Sequence, residues 1–346
     1  MEVLELTPDW EDGYERFVAD HPNTLLYYSL RFRDFLVDLL GCTPRYAVAV
    51  HGGHVAGVFP TMVTEGRYGR VLNSLPYYGS NGGALTTSAT AGHALVQWYR
   101  AEVNEDEMAA ATVVANPLDA DPFPPPHDLV DERIGHVTVF PGGAMTADDQ
   151  VWLAIDSSAR RNVKKAAQHA VEVNVENENL ADLETLHRES MEVAGGQAKT
   201  RAFFDAVPAH FRPGTDYNLY VARIGDEPAA AVLLFYYGST AEYYVPALRP
   251  SFRPAQPMAA LLHRAMTDAV TNGFRRWNWG GSWPTHESLM RFKSKWGGQG
   301  RVYQYWTKLN RPELRSSTAG ALLAAYPGFF VLPFSALHGL EGHTTA

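Results

Sequence analysis

Hydrophobic and polar positions alternate most cleanly near the middle of the chain. Val171, Val173 and Val175 interleave with Glu172, Asn174 and Glu176, the two-residue period of a half-buried strand. Asn179 then precedes an apolar series at helical spacing, Leu180, Leu183 and Leu186 onward to Met191, which stops at Gly195-Gly196. A second short helix carries Phe203, Phe204 and Val207. Three strand-like runs follow at 218–224, 229–237 and 242–248; Gly225-Asp226 and Gly238-Ser239 separate them, which predicts a meander of antiparallel hairpins. A long helix over 258–272 ends at Gly273, and after it come a strand over 274–279, a short helix over 287–295 and a last strand over 301–308.

The first half repeats that order more loosely. The pattern predicts a strand at 3–6, helices at 10–19 and 30–40, and a hairpin of 46–50 with 55–63 across Gly52-Gly53. A strand at 71–75, a helix at 89–103 and strands at 111–115 and 136–140 complete it. Between the last two, Pro117, Pro122, Pro124, Pro125 and Pro126 make a stiff connection without regular structure. The shared order is strand, two helices, three-strand meander, helix, strand and a final strand. It predicts a mixed α+β chain of two like domains with mostly antiparallel central sheets, at 1–150 and 151–310, followed by an apolar tail at 311–346.

Composition narrows the chemistry. A chain of 346 residues has room for two domains, and 46% hydrophobic with 19% charged residues excludes general disorder. A net charge of −9 excludes a protein that coats nucleic acid with its whole surface and gives no reason to expect DNA, while leaving room for a local basic patch. The lone Cys42 excludes a disulfide scaffold, and the histidines show no metal-ligand spacing, so no metal is expected. Glu2, Glu5, Asp9, Glu11 and Asp12 argue against a signal peptide, and the expected location is the cytoplasm. The stretch 319–337 is uncharged, but Gly320, Pro327, Gly328 and Pro333 break it as a helix. It is expected to pack on the body, with peripheral contact at the inner membrane face as the alternative.

The most specific stretches are Ser158-Ala159-Arg160-Arg161-Asn162-Val163-Lys164-Lys165-Ala166, Gly280-Gly281-Ser282, and Glu287-Ser288-Leu289-Met290-Arg291-Phe292-Lys293-Ser294-Lys295-Trp296-Gly297. With Leu72-Asn73-Ser74-Leu75-Pro76 and Gly82-Gly83, they resemble the FemXAB family and its broader FemAB-like relatives. The resemblance implies two tandem GNAT folds and an enzyme that moves an aminoacyl group from aminoacyl-tRNA, or an acyl group from a thioester, onto an amine. In that family the best-known acceptor is the peptide stem of a peptidoglycan precursor, and other members modify sugars, exopolysaccharide precursors or peptide-like natural products. No tightly bound cofactor is implied, because aminoacyl-tRNA or acyl-CoA is a substrate. The partners implied are an amine acceptor and tRNA.

Arg160, Arg161, Lys164 and Lys165 form i,i+4 pairs, so a helix there is expected to show all four charges on one side, either as a solvated face or against the phosphates of a donor. The resemblance places Phe292-Lys293 near the donor ester, where an ammonium would stabilise the oxyanion of an acyl transfer. Without it, Lys293 reads as an exposed helix lysine. Arg291 and Lys295 join the donor-binding set. His286 is a candidate general base, although His286-Glu287 equally opens the following helix. In a thioester-using GNAT domain the turn before the long helix is Gly-rich and offers N–H groups to a pyrophosphate. Here it reads Arg253-Pro254-Ala255-Gln256-Pro257-Met258-Ala259, with no glycine and two prolines, which argues against ordinary acetyl-CoA chemistry. Tyr77, Tyr78 and Asn81 on one loop, Lys199 and Arg201 before the second helix, and Trp283 are the acceptor-side candidates. The acceptor is expected to enter along a groove between the halves. Two alternatives remain open: an acyl-CoA-dependent transferase acting on an aminosugar or lipid precursor, and a non-catalytic binding module.

Overall fold

In the computed structural model, which describes residues 1–104 and 107–338, the chain begins with β1 (Glu2–Glu5), α1 (Pro8–Asp20) and α2 (Leu30–Leu40). The Ser29 side chain accepts from the Phe32 N–H to start α2, and Gly41 at φ 62 ends it. Then come β2 (Thr43–Pro44), β3 (Ala47–His51), β4 (His54–Phe59), β5 (Met62–Gly66), β6 (Gly69–Ser74), β7 (Leu85–Thr86), α3 (Ala89–Val103) and β8 (Met108–Val114). The single strand expected at 55–63 is thus two, parted at Pro60, whose missing N–H cannot join a ladder. β9 (Leu129–Val139) follows the proline-rich connection and begins seven residues before the expected start.

Next are α4 (Ala147–Ala154), a helix the pattern did not suggest, and α5 (Ser157–Gln168). Thr146 and Asp156 cap them with side-chain oxygens that accept from Asp149 N and Ala159 N. The expected order then holds throughout: β10 (Val171–Val175), α6 (Leu180–Ala194), α7 (Arg201–His210), β11 (Tyr217–Ile224), β12 (Glu227–Tyr237), β13 (Thr240–Leu248), α8 (Pro257–Thr271), β14 (Arg276–Ser282), α9 (Glu287–Lys295) and β15 (Gln299–Leu309). A short α10 (Ala319–Ala325) lies near the end.

The chain divides into two units, Met1–Arg133 with the chain from Val302 onward, and Ile134–Arg301. The division falls at Arg133 rather than near residue 150. It also returns the last segment to the first unit instead of leaving it as a separate tail, although residues 339–346 of that segment lie outside the described residues. In the first unit, β1-β3-β4-β7 form an antiparallel sheet, and β15, β8, β6, β5 and β2 stand side by side with β8 parallel to β6. In the second unit the order is β10-β11-β12-β13-β14-β9, antiparallel except for the β13–β14 pair. There α8 lays Leu261, Leu262, Ala265 and Met266 on Tyr220, Val232, Leu234 and Trp277. The fold is therefore mixed α/β with mostly antiparallel sheets, as the pattern predicts.

The uncharged C-terminal stretch packs on the first unit. Tyr326 is buried, its hydroxyl donating to Gly69 O at 2.9 Å, and Phe330 exchanges backbone hydrogen bonds with the Asn73 amide at 2.7 and 2.8 Å. Among the described residues no helix is long and apolar enough to cross a membrane.

Candidate functional site

The site grows from the parallel pair in the second unit. β13 and β14 are in register only from Thr240–Arg276 to Glu242–Asn278. At that last rung the Asn278 amide donates to Glu242 Oε2 at 2.7 Å, and both side chains are buried. Beyond it β14 slips register between Asn278 and Gly281, with Gly280 at φ 69, and β13 slips against β12 beside Tyr243. The strands part. Past Glu242, β13 has no β14 partner, and farther along Leu248 N donates to the Ser190 hydroxyl at 3.0 Å while that hydroxyl donates to Leu248 O at 2.9 Å. A cleft of about 450 Å³ opens along this strand, floored by Tyr243, Pro246 and Leu248 of β13 and Met258 of α8, and walled by Phe292 and Trp296.

Three cations line this apolar cleft: Arg253 from the 3-10 turn Pro250–Ala255, and Arg291 and Lys295 from α9. None of the three makes a close ion pair among the described residues, whereas Arg223, Arg249 and Arg212 elsewhere in the unit are all paired with carboxylates. The turn before α8 has few backbone donors to offer, as its prolines suggest. Gln256 sits at φ 60, its carbonyl accepts from Ala259 N and Ala260 N, and its own N–H goes to Arg253 O. Charge here comes from side chains, not from a backbone cradle.

The basic helix contributes differently from the expectation. α5 gives Ala159 and Asn162 to the cleft. Arg160 is half-buried and donates from Nε to Ile155 O at 3.1 Å, while Arg161, Lys164 and Lys165 are exposed. The helix must bury Ala159, Val163 and Ala166 against the core, which turns its charges to the sides and outward.

α9 divides its residues between two faces. Arg291, Phe292 and Lys295 line the cleft, but Lys293 does not. It is 3% exposed and donates from Nζ to the carbonyls of Gly280 and Gly281, both at 3.0 Å. Burial pulls its pKa down to about 7, and its charge in turn helps lower that of the buried His136. Phe292 meets Trp279 edge-on at 6.0 Å. His286 is the residue before α9, its carbonyl accepting from Leu289 N and Met290 N; neither it nor the exposed Trp283 is in the cleft lining.

The acceptor-side candidates fall into two separate settings. Lys199 places its ammonium 4.8 Å from the Phe203 ring and 4.9 Å from the Tyr244 ring, and desolvation pulls its pKa down to about 7. The adjacent Tyr pair splits as alternation requires: Tyr243 packs on Trp277 and Trp279, and Tyr244 on Phe203 and Phe235. Buried His187, beside Lys199, is pulled down to about 4 by desolvation and by that neighbour's charge, against the opposing effect of the Pro246 backbone. Arg201 is exposed and engaged with Asp205 and Glu184. Tyr77, Tyr78 and Asn81 belong to the first unit, where they seal a fork of that unit's own. β6 and β8 run parallel to Ser74–Val113, and then Gly82 N donates to Val114 O, Asn81 Nδ2 to Ala115 O, and Tyr77 N to Gly328 O. Tyr77 and Asn81 are buried, and only Tyr78 of the three is exposed.

Sequence reasoning passed over Arg253 and Glu242. Arg253 stands in the turn that lacks glycines, where a cation in the donor loop was the available signal; nothing in the sequence marks Glu242 as buried. Among the described residues no group of His, Cys, Asp and Glu is placed to hold a metal ion.

Residues 157–294 match the family model described as an acetyltransferase (GNAT) domain. Among solved structures the chain is similar to the crystal structure of FemX, with TM-score 0.70 and 15% identity over 91% of this chain and 99% of that one. It is also similar to a conserved protein of unknown function from Bacteroides thetaiotaomicron VPI-5482, with TM-score 0.57 and 13% identity over 90% of this chain and 100% of that one. A third is the C-terminal domain of a putative lysylphosphatidylglycerol synthetase from Agrobacterium fabrum, with TM-score 0.52 and 11% identity over 94% and 98%. No curated protein matches in sequence. Identities this low speak to fold alone: the fold is similar to that of FemX, and the match to the GNAT family model lies in the second unit.

Proposed function

We propose that this FemXAB-like GNAT acyltransferase makes an amide bond, taking an aminoacyl group from aminoacyl-tRNA held in the second unit's cleft and giving it to an amine on a cell-envelope precursor. The observation that carries the reading is the cleft at the β13–β14 fork. It joins an apolar, aromatic floor to three cations without close ion-pair partners, beside the stretch of β13 that has left β14. Such a surface suits a phosphorylated carrier that ends in a flat base: the cations meet phosphate, and Phe292 offers a face for stacking. The carbonyl carbon sits at the fork, where the cations of the cleft stabilise the oxyanion. The acceptor nitrogen attacks that carbon, the ester C–O bond breaks, and the ribose oxygen leaves carrying the proton that the amine gives up through water. No protein base is required by this scheme. The acceptor class is the one implied by the FemXAB resemblance, and the reaction is assigned to the cytoplasm.

A second reading, an acyl-CoA donor, is favoured by the acetyltransferase description of the matching family model. The scarcity of backbone donors before α8 favours the first. Thermal melts separate them: a charged-tRNA pool raises the melting temperature while millimolar coenzyme A does not. Mass spectrometry of amine acceptors incubated with each donor then reads the product. Acylated product from acyl-CoA alone overturns the tRNA assignment, and product from neither donor overturns the transferase reading.

A further inference from the structure

Helix α9 has to be fastened at one position for its other residues to form a wall. With 3.6 residues per turn, Arg291 and Lys295 stand about 160° around the helix from Lys293, and Ser288 about 140°. Ser288, Arg291 and Lys295 all line the cleft, with Phe292 at the edge of that face about 100° from Lys293, whereas Lys293 points away from it and is buried. What it meets there is β14, at the point where that strand leaves the parallel pair: the carbonyls of Gly280 and Gly281 each lie 3.0 Å from Nζ. Both glycines are at the register slip, and Gly280 at φ 69 has a conformation in which few side chains are at ease. The helix end is tied in the same way, since Trp296 N and Gly298 N both donate to the Lys293 carbonyl.

We propose that Lys293 is a positioning residue, whose paired hydrogen bonds to Gly280 and Gly281 fasten α9 to the outer arm of the fork and hold Arg291, Phe292 and Lys295 against the donor. This differs from the oxyanion role that the family resemblance implies, and its kinetic arm rests on the acyltransferase reading. An ammonium serving an oxyanion must keep its charge and reach the reacting carbonyl. A fastener needs only two N–H donors, and a neutral amine still has two. The Lys293 charge opposes that of the buried His136 on β9, whose pKa is lowered first by burial and then by Lys293.

The test compares wild type with Lys293→Met, which keeps length but has no donor, and Lys293→Arg, whose guanidinium can bridge two carbonyls. Backbone hydrogen exchange is read over 279–298 and donor affinity from titration with charged tRNA. A fastener predicts that Lys293→Met raises exchange at Gly280–Trp283 and weakens donor affinity, each at least tenfold, and that Lys293→Arg restores both to within threefold. Wild-type donor affinity stays flat from pH 6.5 to 8.5. Unchanged exchange and affinity in Lys293→Met with a hundredfold loss of turnover overturns the proposal in favour of charge at the carbonyl, as does an arginine variant no better than methionine. Should Lys293→Met not fold, Lys293→Arg and the wild-type pH series decide. A wild-type protein that makes no amide sinks the transferase reading alone, because exchange still reports on the fastening.

Discussion

At the scale of single residues, the cleft sorts its cations by pairing. Arg253 and Arg291 line an apolar surface without a close carboxylate partner, so removing either takes away a charge-assisted contact of about 1.5–3 kcal/mol. Arg253→Ala and Arg291→Ala are each expected to weaken donor binding about tenfold, since tenfold corresponds to about 1.4 kcal/mol. Both should also flatten its salt dependence, while Arg161→Ala, exposed on α5, changes it less than threefold; titration at two salt concentrations reads this. His187 gives a pH prediction. Its folded pKa, about 4, lies below the ordinary 6.5 because the buried ring resists charging beside Lys199. The unfolded chain therefore binds the proton first. Stability should be full above about pH 6.5 and fall as pH drops toward 4. Urea melts at pH 7 and pH 5 should show that loss, and His187→Gln should lose less.

At the scale of elements, the two parallel strand pairs behave differently for a local reason. In the second unit β13 and β14 part at a register slip and leave a cleft, whereas in the first unit the loop after β6 closes the fork. Gly82 makes that closure possible. A Cβ there would stand 2.5 Å from Ser74 O and 2.8 Å from Ser74 Oγ, closer than real atoms approach. Gly82→Ala should cost about 1–3 kcal/mol in a urea melt, the range for overpacking a tight site. Element types were legible in the sequence wherever periodicity was strong. Helices 30–40, 89–103 and 287–295 come out at the expected residues, because their apolar faces and stop signals agree. α4 was not legible: its Asp148-Asp149-Gln150 opening carries little apolar signal, and its helical state rests on the Thr146 cap and on packing against α8.

At the scale of the whole molecule, the chain crosses between its units inside β9 and inside β15, and so the last segment belongs to the first unit. That segment is held by buried side chains. Tyr326 is fully buried and bonded to Gly69 O and Tyr68 N, and Phe329, Val331 and Leu332 are buried after it. Tyr326→Ala should lower unfolding free energy by about 3–5 kcal/mol, the cost of emptying a large aromatic site, measurable by denaturant titration. The apolar composition of 319–337, which by itself suits a membrane surface as well as a core, is largely used up in this packing.

The sequence by itself determined the order of elements, the class of fold and the loss of a glycine cradle before α8. Each of these follows from spacing along the chain: two-residue and 3.6-residue periods, stop signals, and prolines without N–H groups. It set Lys293 and Arg291 at one donor, although two residues on a helix part them by about 160°. What the neighbours of a residue are, and therefore which lysine is buried, which arginine lacks a close partner and which fork stays open, only the tertiary structure decided. Burial and pairing depend on segments hundreds of residues apart, and a pattern read within one window does not contain them.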